Sequence, residues 1–441
     1  MRNYLLSLIL LVFTVLLFVS FVIGYKETIP AYKLFMHIFI GYTFVSALYV
    51  LPKINNDASK YGGIFLYNLL FSLVLRCLFL DYTNDPYEGT ASCDIYTYER
   101  LALKGLDKNF FDYMGSLLTS QGISIKIDDL GFISVMVLFY KTFADISFVR
   151  ILFLVINATL ITVSSFKILK ICNLLSIDKE ISNYASILYG IFPFWFVSSS
   201  MGLKENLFCF LIVSALYNIY LFKETNRVRD FLTAFIFISF TYFFRSIICL
   251  FLFIIFVLYM YCNEKNKKTI ILLSSIGAII GIIFINVIVL KFTGYSMDVV
   301  SATTASRMNR SVGSGFFGWL TQLFAAFYGP FPNFTRMGQY GFYYSSGLLF
   351  KSIISLFVNV GLFSIVKNLE WRLYPLVFFL LMGYFMIIIS GVSLDIRYHI
   401  TFFAPFVIIF AYVFEQISLR LSLINLHTCM IILLVLLYNL R

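Results

Sequence analysis

Long runs of apolar residues follow one another along this chain, and they constrain its fold more than any other feature of the sequence. Each run is roughly 20 residues long, the length that an α-helix needs to cross the hydrocarbon core of a bilayer. The runs are continuous rather than alternating, which excludes a transmembrane β-barrel. They lie near residues 4–24, 31–51, 62–80, 147–170, 182–200, 203–222, 229–244, 246–262, 268–292, 346–367, 373–391, 396–417 and 420–440. The sequence therefore predicts an all-α protein, a polytopic transmembrane helical bundle with about 11–14 spans.

The composition agrees with a membrane-embedded chain. Of the 441 residues, 61% are hydrophobic and only 12% are charged, whereas soluble domains are roughly 25% charged. The formal net charge is +11. In a soluble protein such a charge indicates nucleic acid, but here the cations flank apolar runs, where they face an anionic lipid leaflet and set the topology. We therefore expect the lipid bilayer as a partner and no nucleic acid.

The cysteines and histidines give no sign of a metal centre or a disulfide framework. The seven cysteines are scattered, without a CxxC motif or a His/Cys cluster. No metal site is predicted, although a loop carboxylate can hold a divalent cation, so the cofactor requirement stays open. The first apolar run follows Arg2 and lacks a small-x-small cleavage site, so we expect a retained signal-anchor helix.

Short cation-rich connections fall on alternate sides of the predicted spans, and they indicate the cytoplasmic face. They contain Lys53 and Lys60; Lys167, Lys170 and Lys179; Lys223, Arg227 and Arg229; Lys265, Lys267 and Lys268; Lys367 and Arg372; and Arg420. With Arg2 on that side, the N-terminus lies inside. Two segments of a single transmembrane domain, 1–441, then face outward: a first outer (periplasmic) loop at 81–131 and a second outer loop at 293–345. The alternation holds only if 132–144 does not cross, so we expect an interfacial or re-entrant helix there.

Arg245 lies in the middle of an apolar run, 229–262, that has cation-rich connections on both sides. The chain must therefore cross and return within this run, which leaves roughly 15 residues, or about 23 Å, for each limb. That is less than a hydrocarbon core of roughly 30 Å, so the tip of the hairpin should lie below the membrane surface. A guanidinium there needs a water-filled cavity or an anionic partner. The alternative is that Arg245 extends to the lipid headgroups.

The first outer loop is rich in acidic residues, and we single out Asp94 in the segment CDIYTYERLA. A carboxylate in a membrane-facing loop can act as general base toward a sugar hydroxyl, or can hold a divalent cation. Asp81 and Asp85 are alternatives for the same role. A solvated loop acid without a chemical role is the competing interpretation for each of them.

These residues resemble a known class of enzymes. The Asp-x-x-x-Tyr pattern that begins at Asp94 leads an amphipathic segment, then the expected interfacial helix, then FVRILFLVINATLITVSSFKILK. This order is similar to the first outer loop of membrane glycosyltransferases of the GT-C class and of bacterial O-antigen and capsule polymerases. In GT-C enzymes an Asp of this loop is the expected catalytic base, so the resemblance implies that role for Asp94. Two spans precede the helix that feeds the loop, where a simple GT-C enzyme has none, and this departure favours a polymerase-like member.

The segment FPFWFVSSSMGLKENLFCFL, near residues 193–211, resembles the outer-end turn of these families. There a helix breaks, and a cation next to an acid opens the following helix. The resemblance implies that Lys204 meets a phosphate of a lipid-linked sugar. Glu205 lies at a predicted helix start, which suits an anion, and it is a second candidate base. A surface ion pair at a helix N-terminus is the alternative.

Several arginines are predicted on the same face of the membrane. They are Arg245, Arg307, Arg310 and Arg397. Arginine presents a planar fork of donors that matches phosphate oxygens and does not deprotonate, and a polyprenyl diphosphate carries its charge at the headgroup level. Asp395 and His399 lie near Arg397 in DIRYHITFFAP, which resembles a late segment of GT-C-like chains. The alternative role of Asp395 is to neutralise Arg397.

We therefore predict a glycosyltransferase or polysaccharide polymerase of the bacterial cytoplasmic (inner) membrane. Its expected partners are a polyprenyl-linked saccharide donor and acceptor on the outer face, with polysaccharide assembly proteins. The alternative is a flippase or transporter of lipid-linked saccharides, which needs polar residues near the midplane of several helices. The middles of the predicted spans are nearly charge-free, which favours an enzyme with a one-sided site. A structural subunit without a site is a third interpretation, and it predicts no buried cations at the outer face.

Overall fold

The computed structural model describes most of the chain, and the regular structure in the described part is helical. The described residues are 7–15, 31–83, 94–119, 127–143, 145–262, 297–311, 315–332, 342–368, 370–416 and 419–440, with isolated residues between them. Among these residues the structure contains helices and no strands, which confirms the predicted all-α fold.

The helices are numbered here in chain order. They are α1 (7–15), α2 (Ala31–Val50), α3 (Asp57–Thr83), α4 (Asp94–Lys104), α5 (Phe110–Thr119), α6 (Ile127–Phe143), α7 (Ile146–Leu174), α8 (Lys179–Gly190), α9 (Phe194–Ser200), α10 (Glu205–Thr225), α11 (Val228–Thr241), α12 (Ser246–Tyr261), α13 (Met297–Ser311), α14 (Gly315–Tyr328), α15 (Ser345–Asn368), α16 (Tyr374–Ile389), α17 (Ile396–Ile400), α18 (Phe403–Gln416) and α19 (Leu421–Leu440).

Seven of the described helices are long and apolar enough to cross a membrane. They are α2, α3, α7, α10, α15, α16 and α19. The helices α12 and α18 are also apolar, but they are shorter. The protein is thus a multi-pass helical membrane protein. Most of the apolar run at 268–292 and most of the run at 4–24 lie outside the described residues.

The core of the bundle lies around α10 and α15, the most enclosed of the seven long helices, with 72% and 67% of their apolar windows buried. The broken pair α8–α9 is also enclosed, because Tyr189, Phe192 and Trp195 are fully buried. Large aromatic side chains fill the space between the helices here and pack against the neighbouring helix ends. The end at which α10 begins is one such place.

Two predicted spans are each divided into two helices. The run at 182–200 breaks at Pro193 between α8 and α9, because proline has no N–H to donate and its ring crowds the preceding turn. The indole N–H of Trp195 donates to the carbonyl of Tyr189 at 2.5 Å and so satisfies an acceptor that the break exposes. The run at 396–417 breaks after Ile400, with Pro405 in the first turn of α18, where proline is tolerated.

The predicted hairpin around Arg245 consists of two short helices, α11 with 14 residues and α12 with 16 residues. At 1.5 Å per residue these measure about 21 and 24 Å, less than a typical hydrocarbon core. Arg245 lies between them in extended conformation, with φ −159° and ψ 99°. The Phe244 carbonyl contacts Lys204 at the start of α10, whereas the Met260 carbonyl accepts from Lys223 near the end of α10, at 2.9 Å. These contacts show that the chain reverses at Arg245, as the alternation of cations predicts.

The two predicted outer loops contain helices. Residues 81–131 include the end of α3, the whole of α4 and α5, and the start of α6. Helix α6 packs against α4, α5 and α7. α6 has 17 residues and includes residues 132–143 of the predicted interfacial helix at 132–144. Between residues 293 and 345 lie α13 and α14, and α14 packs against α15 and α16.

We define the site end of the bundle as the end where α10 begins. The turn between α11 and α12, α4, the first turn of α6 and α17 meet there. The opposite end is the one where α10 finishes. The contact between the Tyr220 hydroxyl and the carbonyl of Arg372, at 2.9 Å, joins α10 at that end to the start of α16.

Candidate functional site

The site end brings together most of the side chains that the sequence singles out. They are Asp94, Lys204, Glu205, Arg245, Asp395 and Arg397. With Tyr98, Asp128, Asp129 and Thr401, which touch them, they form what we call the carboxylate–cation cluster. The cluster is assembled from α4, α6, α10, the α11–α12 turn and α17.

A glycine turn places the first two members of the cluster. Helix α9 ends in a motif in which Leu203 N–H donates to the Ser198 carbonyl at 2.9 Å and Gly202 N–H donates to the Ser199 carbonyl at 3.0 Å. Gly202 has φ +66°, a left-handed conformation that glycine adopts without strain. The chain then enters α10 at once, so Lys204 and Glu205 lie at its first turn.

Lys204 is fixed by oxygen atoms from two other elements. Its ammonium contacts the carboxylate of Asp129, the backbone carbonyl of Asp128 at 2.9 Å and the carbonyl of Phe244 at 3.4 Å. Its exposed fraction is 9%. The sequence predicts that Lys204 meets a lipid phosphate, but its ammonium already has a carboxylate partner. In this arrangement Lys204 ties α10 to α6 and to the α11–α12 turn.

The α6 side of this contact is held by further hydrogen bonds. Tyr98 donates its hydroxyl to Asp129 at 2.6 Å, and the backbone N–H of Ser246 donates to Asp128 at 2.7 Å. Burial, together with the adjacent Asp129 carboxylate, raises the pKa of Tyr98 well above its ordinary value. Tyr98 therefore stays a neutral hydrogen-bond donor. The first turn of α6 is hydrogen-bonded to α4 through Tyr98 and to the start of α12 through Ser246.

Glu205 and Arg245 form a buried pair. Arg245 Nη2 lies 4.0 Å from Glu205 Oε1, and the two side chains are only 14% and 5% exposed. The other carboxylate oxygen, Oε2, is buried and has no hydrogen-bond partner among the described residues. The N-terminus of α10 and the Arg245 guanidinium both lie next to the Glu205 carboxylate, but neither provides Oε2 with a hydrogen bond. Leaving a buried acceptor without a donor costs free energy.

Arg245 also connects the pair to α17. Its Nη1 donates to the hydroxyl of Thr401 at 3.1 Å, and its guanidinium stacks over the ring of Tyr398 at 4.7 Å. Thr401 in turn donates to the carbonyl of Arg397 at 3.3 Å. The arginine from the α11–α12 hairpin is therefore linked through one hydroxyl to the arginine of α17.

Arg397 contacts two carboxylates. Its Nη2 lies 3.1 Å from Asp395 Oδ2, and its Nη1 donates to Asp94 Oδ2 at 3.1 Å. Asp395 also caps α17, because it accepts the Arg397 backbone N–H at 3.0 Å. Asp94 is the most accessible member of this group, with a side chain that is 56% exposed. Residues 303 positions apart in sequence thus meet at the mouth of the cluster.

The other sequence-selected residues are placed elsewhere or lie outside the description. Arg307 is exposed on α13, and the side chain of Arg310 is outside the described part. His399 is buried, and its Nε2 lies 2.8 Å from the carbonyl of Ser393, which is not a member of the carboxylate–cation cluster. Only the backbone of Asp81 is described, at the end of α3, and Asp85 lies outside the described residues.

Sequence reasoning misses several charged residues at the site end. Asp129 is one of many acids in the first outer loop, and nothing in its neighbourhood marks it. Arg76 is different, because it interrupts the apolar run at 62–80, and a cation inside a span is a recognised sign of function. Arg150 and Glu99 form a bidentate pair, with N···O distances of 2.8 and 2.7 Å. Arg150 stands in the first turns of an apolar span and carries the same signal as Arg76.

The charge balance of the cluster limits what it can bind. Its cations are Lys204, Arg245 and Arg397, and its carboxylates are Asp94, Asp128, Asp129, Glu205 and Asp395. Carboxylates with adjacent tyrosine rings suit the hydroxyl groups and apolar faces of a sugar. An anion must bind by displacing a carboxylate from an arginine. Among the described residues, no group of three or more histidine, cysteine or acidic side chains is arranged to hold a metal ion.

Comparison with known proteins adds no family assignment: no family model matches the chain, and no curated protein matches it.

Proposed function

We propose that this protein is a membrane glycosyltransferase or polysaccharide polymerase that uses a polyprenyl-phosphate-linked sugar donor. The site end faces the outer side of a bacterial cytoplasmic membrane, and the N-terminus lies inside. The product is a surface polysaccharide such as O-antigen or capsule. The carboxylate–cation cluster is the reaction site in this proposal.

The observation that carries the proposal is the contact between Asp94 and Arg397 at the mouth of the cluster. An accessible carboxylate lies 3.1 Å from a guanidinium that holds a second carboxylate as well. Glycosyl transfer from a lipid phosphate needs these two functions side by side: a base for the acceptor hydroxyl and a cation for the departing phosphate. Behind them, the buried pair of Glu205 and Arg245 supplies the same two functions at a deeper level.

The reaction follows from an exchange of partners at Arg397. The donor phosphate takes the Nη1 donor that Asp94 occupies, since the guanidinium fork fits phosphate oxygens as well as carboxylate oxygens. The released Asp94 carboxylate then accepts the proton of the acceptor hydroxyl. The hydroxyl oxygen bonds to the anomeric carbon, and the bond from that carbon to the phosphate oxygen breaks. The lipid phosphate leaves with the bonding electrons, and Arg397 and Arg245 stabilise its charge.

The neighbouring contacts of Lys204 support a positioning role within this proposal. Because its ammonium is engaged by Asp129 and two carbonyl oxygens, it holds α6 and the α11–α12 turn against α10. Displacing it would leave the partly buried Asp129 without its cation. We therefore assign the phosphate to the arginines, with Glu205 as the second candidate base because its Oε2 has no hydrogen-bond partner in the described part of the chain.

The test is the substitution Asp94→Asn in a strain that lacks the wild-type copy. The change removes the negative charge and keeps the shape, and a general base contributes roughly 10²–10⁴-fold to rate. We expect surface polysaccharide, or extension of a lipid-linked acceptor, to be nearly abolished while membrane insertion is unchanged. The matched control is Asp112→Asn, which alters an exposed acid on α5. Wild-type product from Asp94→Asn would remove Asp94 from the role, and loss of product in Glu205→Gln alone would transfer the role to Glu205.

One observation favours the alternative, a flippase of lipid-linked saccharides. Lys351 and His427 are buried within membrane-spanning helices, with exposed fractions of 3% and 5%. Polar groups inside the bundle are what a transported headgroup requires. Reconstitution into vesicles with a lipid-linked saccharide separates the two functions. An enzyme changes the length or composition of the saccharide, whereas a flippase changes only the leaflet in which it is found. If the protein is a flippase, Lys351→Met should block the movement of the lipid-linked saccharide between leaflets.

A further inference from the structure

The turn between α16 and α17 carries Asp395 and leads directly to Arg397, so its shape determines where both side chains lie. The turn begins at Gly391, whose φ is +66°, and two backbone N–H groups donate from the turn to carbonyls near the end of α16. These two hydrogen bonds measure 3.3 and 3.5 Å, longer than a typical N–H···O bond of about 2.9–3.0 Å. Side chains that bind the same carbonyls therefore contribute to holding the turn.

Two side chains from the helices of the second outer loop bind the end of α16. Gln322 on α14 donates Nε2 to the carbonyls of Ile387 and Ile388, at 3.1 and 3.3 Å. Thr304 on α13 donates its hydroxyl to the carbonyl of Ile389 at 2.7 Å. The last carbonyls of a helix have no partner within that helix, and here α13 and α14 supply donors for three of them.

Gln322 also binds the turn itself. Its Oε1 accepts the hydroxyl of Ser393 at 2.6 Å, and both side chains are fully buried. One amide therefore connects the end of α16 to a residue two positions before Asp395. Its NH₂ group donates and its oxygen accepts, and both functions are used here. An apolar side chain of similar size can do neither, and it would leave the buried Ser393 hydroxyl without this partner.

The backbone of Ser393 continues this connection to α17. The Nε2 atom of His399 lies 2.8 Å from the carbonyl of Ser393, and His399 is buried two residues after Arg397. Because a carbonyl oxygen only accepts, His399 Nε2 is the donor in this contact. Gln322 and His399 thus both bind Ser393, and the segment that carries Asp395 and Arg397 lies between these two points of attachment.

We propose that Gln322 is a positioning residue that sets the orientation of Asp395 and Arg397 at the mouth of the carboxylate–cation cluster. Its hydrogen bonds go to Ser393 and to the end of α16, which are not members of the cluster. The role rests on the proposed function, because the reaction needs Arg397 within reach of both Asp94 and the donor phosphate. It also gives the second outer loop a part in the reaction that requires none of its arginines.

The test compares Gln322→Met with Gln322→Glu in a strain that lacks the wild-type copy. Methionine has a similar length and can form neither hydrogen bond. A glutamic acid that is buried beside carbonyl oxygens is neutral, so it can donate to α16 and accept from Ser393. We expect Gln322→Met to lower surface polysaccharide per molecule of inserted protein by about tenfold or more, because a displacement of about 1 Å can cost roughly 100-fold in rate. Gln322→Glu should retain most of the product.

Hydrogen exchange of the purified full-length protein in detergent measures the turn independently of sugar transfer. The amides of residues 391–400 should exchange faster in Gln322→Met, while those at the start of α10 should not change. Ser393→Ala removes one of the hydrogen bonds of Gln322 and should have a smaller effect of the same kind, so it serves as the second variant if Gln322→Met does not fold. The matched control is Gln416→Met, at an exposed glutamine at the end of α18, which should behave as the wild type in both measurements.

Three outcomes would overturn the proposal. One is wild-type exchange in Gln322→Met, and another is an equal loss of product in Gln322→Met and Gln322→Glu. The third is normal product from Gln322→Met in spite of faster exchange, while Asp94→Asn abolishes the product. Normal product from Asp94→Asn would instead overturn the proposed reaction, and faster exchange in Gln322→Met would then still support Gln322 as the residue that holds the turn.

Discussion

The two ends of the bundle differ in how most of their cations are placed. At the opposite end Lys53, Lys179, Arg227, Arg229 and Lys367 are exposed, and Lys60, which is 2% exposed and contacts Asp57 at 3.0 Å, is an exception. At the site end Arg76 and Lys204 are buried, and Arg245 and Arg397 are largely enclosed against carboxylates. Exposed cations beside apolar spans are sufficient to set orientation in a membrane. Orientation in the membrane does not require buried cations, so those of the site end need another explanation.

Burying the cations of the site end costs desolvation free energy. A charged side chain removed from water needs an opposite charge and hydrogen bonds to offset its desolvation, and the site end provides them through Asp129, Glu205 and Asp395. Such an arrangement is weak evidence for stability, because apolar side chains of similar size would often serve as well. The comparison therefore supports a functional origin for the site end and a topological origin for the other. The predictions below test this difference.

The largest effect is expected from Arg245→Ala, which leaves Glu205 charged and buried without its cation. Removing one partner of a buried pair costs about 3–5 kcal/mol. We expect a strong loss of folded, monodisperse protein and a lower melting temperature in detergent. Adding Glu205→Gln should restore much of the stability, because the uncompensated charge is gone, but it should not restore polysaccharide production. The 4.0 Å distance between Arg245 Nη2 and Glu205 Oε1 indicates that the two side chains stabilise each other. If Arg245→Ala melts at the same temperature as the wild type, they do not.

A moderate effect is expected from Asp129→Asn. Lys204 would keep its contacts with the carbonyl oxygens of Asp128 and Phe244 but lose its carboxylate. Loss of a hydrogen-bonding partner that carries charge costs about 1–3 kcal/mol, and the loss should concentrate where α6 meets α10. Hydrogen exchange of the amides near the start of α6 should therefore speed up, while the helices of the opposite end are unchanged. The control is Asp107→Asn, at an exposed position after α4, and equal exchange in both variants would contradict the fastening role of Asp129.

The fold is predictable from the sequence because long apolar runs leave a membrane chain few choices. Each run that lies in the described part contains helix, and the short limbs around Arg245 follow from counting cations on alternate connections. Breaks within the runs are harder to predict. Pro193 and Pro405 mark them, but which proline ends a helix depends on whether the freed backbone groups find other partners, as at Trp195.

The site is predictable only in part, because its contacts join distant segments. Asp94 and Arg397 can each be singled out, but no local pattern pairs residues 303 positions apart. Asp129 is hidden among the acids of its loop until α6 is packed against α10. Arg76 is the clearest missed signal, since a single arginine in an apolar run is unusual by composition alone. The local sequence thus identifies candidate site residues, and tertiary packing determines which of them come into contact.

The smallest effect is expected from Arg229→Gln at the opposite end, and this variant tests the other half of the comparison. The Arg229 side chain is 78% exposed, and its Nε lies 3.6 Å from Asp230 Oδ1, too far for a hydrogen bond. Asp230 is itself buried, but it accepts the Thr225 hydroxyl at 2.7 Å and keeps that partner in the variant. Exposed ion pairs contribute about 0–1 kcal/mol because water and salt screen them. We therefore expect a melting temperature close to that of the wild type, with normal polysaccharide. A loss as large as that of Arg245→Ala would mean that cations at both ends are structural, and the contrast between the ends would no longer point to a site.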